Sequence, residues 1–200
     1  MKKLFIPYLL VFLGISSLNA QDIVIENKLQ TIAIGSCNRQ EAPQTYWSTI
    51  AATRPDLWIW LGDNIYGDTD DMTVLKSKYE MQKSNSYYQK LLNSTPVIGI
   101  WDDHDYGKND AGKEYPFKVA SRDLMFDFLD VPKKSPAWKR TGGYQSYVYG
   151  TGKQKVKILL LDARYFRGDL NRVDGVYQKN MSGSVLGDAQ WLWLERELTN

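Results

Sequence analysis

The chain has 200 residues, enough for one sizeable domain with its own core. Its 43% hydrophobic and 13% aromatic content excludes a disordered or low-complexity polymer. Twenty-five basic residues against 23 acidic ones leave a formal charge of +2, with no basic stripe of the kind that binds nucleic acid.

The first segment, MKKLFIPYLLVFLGISSLNA, has a basic start, an apolar stretch too short to span a bilayer, and small residues before Gln21. It reads as a secretory signal peptide over residues 1–20. An uncleaved anchor is the alternative, because Leu18 fits poorly three places before the cut. Cleavage after Ala20 would remove Lys2 and Lys3 and no acid, so 23 basic residues would face 23 acidic ones. The expected mature chain is a single domain, residues 21–200, near neutral and without a transmembrane segment. It is exported, whether periplasmic, extracellular or bound to the cell surface. Cys37 is the only cysteine, so no internal disulfide is available to it. A lone thiol in an oxidising compartment calls for burial or a metal.

Four short apolar runs follow: TIAIGS (31–36), DLWIWLGD (56–63), PVIGIWDD (96–103) and KVKILLLD (155–162). Their near-continuous apolarity predicts strands covered on both faces. Helical patterns lie between them at 43–54, at 71–94 with an interruption near Asn85, at 117–130 with apolar Val119, Leu124, Phe126 and Leu129, and at 187–198 behind an Asp188 cap. The alternating run GGYQSYVYG (142–150) predicts a further strand, antiparallel to the one at 155. Strand and helix in alternation define an α/β layered sheet. Each apolar run ends in residues able to bind a metal or an anion, and in open α/β sheets the carboxyl ends of strands line one edge.

At the first of those ends, GSCN (35–38) presents Cys37, read as a small buried hydrophobe, a metal ligand or a nucleophile paired with His104. GDNIYGDTDD (62–71) places Asp63 at a strand end, then Tyr66 and Asp68, with glycines that permit close backbone approach. An aspartate in such a turn also bonds its own backbone, and Asp70 and Asp71 read as solvated or capping residues. WDDHDYGKND (101–110) is the strongest signal. It packs Asp102, Asp103, Asp105 and Asp110 around His104, the only histidine, and four carboxylates so close repel one another unless a cation sits among them. Asn109 and Asp110 offer further oxygens, though they are equally good turn residues. In LDARYFR (161–167), Asp162 is read as a metal ligand or as a residue that orients a neighbour. Arg164 and Arg167 carry the donor fork that suits phosphate, when not paired with nearby acids.

Taken in order and each after a strand, GSCN, GDNIYGD, WDDHDYGKND and LDARYFR resemble the motifs of the alkaline phosphatase D family of metallophosphatases, within the calcineurin-like phosphoesterases. The resemblance runs from about residue 31 to the end of the chain. It implies a layered α-β-β-α fold, a ferric iron and calcium centre, and hydrolysis of phosphate monoesters or diesters outside the cytoplasm. Under it Cys37 and Tyr66 bind iron, Asp63 bridges metals, and Asp68, Asp103 and Asn109 serve calcium or a second metal. The ligand chemistry agrees, since hard oxygens suit calcium while thiolate and phenolate favour a strongly Lewis-acidic transition metal. The family also draws ligands, a histidine among them, from a GDxH-like segment in a second half, whereas this sequence reaches Asn200 with no second histidine. The chain is therefore expected to hold only the N-terminal half to two-thirds of the fold, as a fragment or a natural truncation.

The expected chemistry is attack by a metal-activated hydroxide on a phosphate ester, with His104 as the acid for the leaving oxygen. Arg164, with Arg167, would hold the remaining substrate charge. Two other readings stand beside it: a cysteine hydrolase built on Cys37 and His104, and a non-catalytic exported binding domain stabilised by calcium.

Overall fold

A computed structural model describes residues 23–25 and 27–199; the expected signal peptide lies outside them. Three parallel strands form the first sheet: β2 (Ile32–Gly35), β3 (Leu57–Leu61) and β4 (Val97–Ile100). The connections are helical, as parallel neighbours require. Helix α1 (Tyr46–Ala52) joins the first pair, and α2 (Met72–Ser84) and α3 (Ser86–Leu92) join the second. The predicted break at Asn85 is a cap: its side chain accepts from the backbone N–H groups of Tyr87 and Tyr88 and starts α3.

A second sheet holds β1 (Ile23–Ile25), β5 (Gln145–Tyr149) and β6 (Val156–Leu160) in the order β1-β5-β6. As expected, β5 and β6 are antiparallel. Two findings depart from expectation here. The fourth apolar run, β6, belongs to this second sheet rather than beside β4, and the short parallel strand β1 had no sequence signal beyond IVI among polar neighbours.

Strand alternation fixes the layers. In β3, Trp58 and Trp60 point to the helices, where both indoles meet Trp47 of α1 at 4.9 and 5.2 Å between centroids, while Leu57 and Ile59 face the other way and are buried too. Burying each indole removes roughly 150–250 Å² from water and contributes about 4–6 kcal/mol before entropy. In β6, Ile158 and Leu160 join the central core, whereas Leu159 packs with Trp193 and Leu194 of α6 (Gly187–Thr199). Helices, sheet, sheet and helix therefore stack in four layers. Helix α5 (Lys118–Phe128) adds Met125, Phe126 and Phe128 to the core and leaves Val119 exposed.

The prediction that every apolar run is covered on both faces fails at β2. It is an edge strand, with Ile32 42% and Ile34 60% exposed. Apolar composition alone does not distinguish an edge from a centre, because position in the sheet is a tertiary property. Also without a sequence expectation were the four-residue helix α4 (Asp103–Tyr106) and the hairpin of β7 (Arg172–Val173) and β8 (Val176–Tyr177).

Candidate metal centre at the carboxyl rim

Register brings the ends of the three parallel strands together. Gly35 pairs with Trp60 and Leu61 with Ile100, so the residues that follow leave the sheet side by side. Gly62 makes this possible: at φ +104° it lies where a Cβ would stand 2.5 Å from Asp102 Cβ and 2.7 Å from its backbone nitrogen. The loop after β3 is then stitched to α4. Gly67 and Asp68 donate their N–H groups to the His104 carbonyl at 2.9 and 3.2 Å. The fully buried Asp105 accepts from the N–H groups of Asp102 (2.7 Å) and Asn64 (3.0 Å). Asp105 is thus a fastening between two loops rather than a free acid. In sequence it was indistinguishable from its neighbours in WDDHD.

On this scaffold the side chains converge. Asp63, Asp103 and His104 each offer one ligand atom, and these atoms all lie within 4.8 Å of one another. The Cys37 thiol donates to Asp63 Oδ2 at 3.5 Å. The Tyr66 ring lies against His104 at 4.3 Å between centroids, tilted by 36°, with the Arg39 guanidinium 4.3 Å from the phenol ring centroid. Gln40 clasps the Tyr66 backbone from both sides, accepting from its N–H at 2.8 Å and donating to its carbonyl at 3.1 Å. Sequence reading passed over Arg39 and Gln40, whose only mark is a polar run behind Cys37.

Electrostatics show what the cluster lacks. Burial, and then the neighbouring Asp103 charge, push the Asp63 carboxyl above its ordinary value. Burial acts on Asp103 in the same sense, but the Asp110 N–H, 2.7 Å from Oδ2, and the Arg164 guanidinium outweigh it and hold that carboxyl below its ordinary value. Burial raises Tyr66 to about 12, helped by the negative charges of Asp63 and Cys37. Asp63 Oδ1 is buried without a hydrogen-bond partner. An orphaned buried carboxylate oxygen beside a second carboxylate, a thiol and a phenol is a donor set short of a cation, and so fits a bound metal.

The other expected site residues fall around this cluster. Asp68 faces His104 Nδ1, with both carboxylate oxygens at 2.8 Å. Asn109 is exposed; its N–H donates to Asp68 Oδ1 at 3.2 Å, and it lines a neighbouring cavity with Asp110 and Glu114. Arg164 reaches over from the second sheet, with Nε donating to Asp102 at 2.5 Å and Nη2 lying 3.6 Å from Asp103. Arg167 is half-buried and donates to the Asp110 carbonyl. Asp162, fully buried, accepts from Trp101 Nε1 and from the N–H groups of Gly143, Arg164 and Tyr165 at 2.7–2.9 Å. Three of those donors fall on Oδ1 and the Gly143 N–H on Oδ2, so the carboxylate serves to orient its neighbours.

The four-layer α/β fold thus gathers an acidic, metal-capable rim and an arginine at one edge of the sheets. The chain belongs to the PhoD-like phosphatase family, whose model matches residues 32–200. Its fold is similar to that of a solved chain described as the structure of PhoD, with a TM-score of 0.65 and 19% identity over 86% of this chain. At that identity the likeness is one of fold. The match spans 40% of that chain's length. A comparison with curated proteins finds no match.

Proposed function

We propose that the chain carries the site at which an exported, metal-dependent hydrolase cleaves phosphate monoesters or diesters. The observation that carries this reading is the set of ligand atoms on Asp63, Asp103 and His104 within 4.8 Å of one another, together with an orphaned oxygen on the same Asp63 carboxylate. Family membership and the layered fold support it; the twenty residues of MKKLFIPYLLVFLGISSLNA support export.

Cys37, Asp63 and Tyr66 supply the anionic ligands for iron, and Asp103 the hard oxygen for calcium. Bound metal supplies the positive charge that polarises a phosphoryl oxygen and makes hydroxide available near neutral pH. The chain's own residues do the rest. Arg164, with Nε on Asp102 and Nη2 near Asp103, keeps its remaining guanidinium donors for the non-bridging oxygens, and Arg167 adds positive charge beside it. His104 gives its proton to the leaving oxygen, while Asp68 on Nδ1 fixes the ring. In this reading Asp68 positions the histidine, beside the calcium role the family pattern implied.

A second reading of His104 is favoured by its place in the ligand-capable trio: the ring binds the metal and Asp68 is its outer partner. Metal content separates the two. Asp63→Ala loses both metal and activity. His104→Ala that keeps its metal and loses turnover of esters with poor leaving groups supports the acid; loss of metal makes it a ligand. A purified, metal-free chain that hydrolyses esters at the wild-type rate overturns the whole reading. The cysteine-hydrolase alternative needs a Cys37–His104 pair, whereas Cys37 bonds Asp63 and His104 bonds Asp68.

A further inference from the structure

Beside Arg164 opens a cavity of about 300 Å³ whose apolar side the phosphate-holding arginines leave unoccupied. Arg164 and Arg167 line it on the charged side, and Ala163, Leu170, Tyr177 and Val185 supply apolar surface. Three of these stand open to solvent, Leu170 at 43%, Tyr177 at 46% and Val185 at 51%, so core packing does not explain them. Single exposed apolar residues are ordinary, but several around one cavity next to a charged site mark a ligand surface.

The acid in the wall is already neutralised. The Asp110 carboxylate accepts from Arg172 Nη2 at 3.0 Å and from the Tyr177 hydroxyl. The same contacts pin the hairpin, and Arg172 lies over the Tyr177 ring at 4.0 Å, so the aromatic wall is fixed. The Asp110 N–H in turn bonds Asp103, tying that wall to the rim of the candidate metal centre.

We propose that this cavity is a leaving-group subsite that receives an apolar, ring-sized alcohol portion of a phosphate ester while Arg164 faces the phosphoryl group. The inference rests on the phosphoester reading above. The volume lies at the low end of small-ligand cavities, roughly 300–1,000 Å³, which suits an aryl or short branched alkyl group. A polar leaving group such as a sugar gains nothing from Leu170 and Val185.

The test is calorimetric binding of benzylphosphonate and methylphosphonate to the metal-loaded chain, with hydrolysis of phenyl phosphate and glycerol phosphate followed in parallel. Benzylphosphonate should bind at least about tenfold more tightly, from the apolar area its ring buries. In Leu170→Ser with Val185→Ser, two exposed positions whose change leaves the core intact, that preference should fall to about twofold or less while methylphosphonate affinity is unchanged. Equal affinities in the wild type, binding of neither probe, or a preference that survives the double substitution overturns the subsite. A preserved binding preference without hydrolysis of either ester upholds the subsite and overturns the activity.

Discussion

Four residues around the candidate centre hold backbone conformations that side chains disfavour: Cys37, Asp63, Asp68 and Asp110 have φ of 55°, 49°, 46° and 60°. For cysteine such a conformation costs roughly 1–2 kcal/mol, less for aspartate, and the surrounding loops must hold it. At Cys37 and Asp63, two residues beyond β2 and β3, the reversal sets the thiol and the carboxylate side by side. The Asp68–His104 contact yields the first prediction. Asp68→Asn keeps the shape and removes the charge that orients the imidazole, so metal affinity or turnover should drop about 10–100-fold, read by metal titration alongside ester hydrolysis. Tyr66 yields the second. Without metal, its phenol titrates at about 12 when folded against 10.0 ordinarily. The folded state then holds a proton that the unfolded state has lost, so metal-free stability should fall as pH rises from about 10 to about 12. Urea unfolding across that window should show a shallower fall in Tyr66→Phe; an identical slope contradicts the assignment.

At the scale of elements, the rim depends on glycines and caps that place strand ends rather than on the apolar runs alone. Gly62→Ala puts a methyl group against the Asp102 backbone at φ +104°. It should cost at least about 1–3 kcal/mol and weaken metal binding together with stability. Asn85→Ala removes the cap of α3, about 1 kcal/mol and a melting point lower by about 2–4 °C, while the site stays intact. Comparing the two variants separates loop placement from general destabilisation. The long elements were legible because β-branched and aromatic runs such as LWIWL and VKILL carry their own signal, and Asn85 marked its own break. Helix α4 was not legible. Four residues, DHDY, hold no period, and what forms them is the contact of Asp105 with Asp102 and with Asn64 across 41 positions. The hairpin of β7 and β8 was missed for the same reason: two residues per strand are too few for an alternation to show.

Across the whole molecule, the candidate site straddles both sheets. Cys37, Asp63 and His104 come from the ends of the first, while Arg164 comes from the second and is held in place by Asp162, which also grips Trp101 beyond β4. Sequence order did reveal that chemistry-bearing residues follow the apolar runs. It did not reveal that the fourth run lies in another layer, nor that Asp162 orients its neighbours, because both follow from how the sheets pack. Asp162→Ala should strand several buried donors at about 1–3 kcal/mol each, giving a loss of about 3 kcal/mol or more in chemical denaturation. Metal affinity of the folded fraction should remain, which separates a strut between layers from a ligand.

The central claim is that the rim grips a metal ion through Asp63, and anomalous X-ray scattering from crystals of the metal-loaded protein tests it most directly. A peak within bonding distance of the Asp63 carboxylate, sharing Asp103 or His104, with Cys37 and Tyr66 turned toward it, is the predicted result. Metal density elsewhere, or none there in protein that hydrolyses phosphate esters, would contradict it.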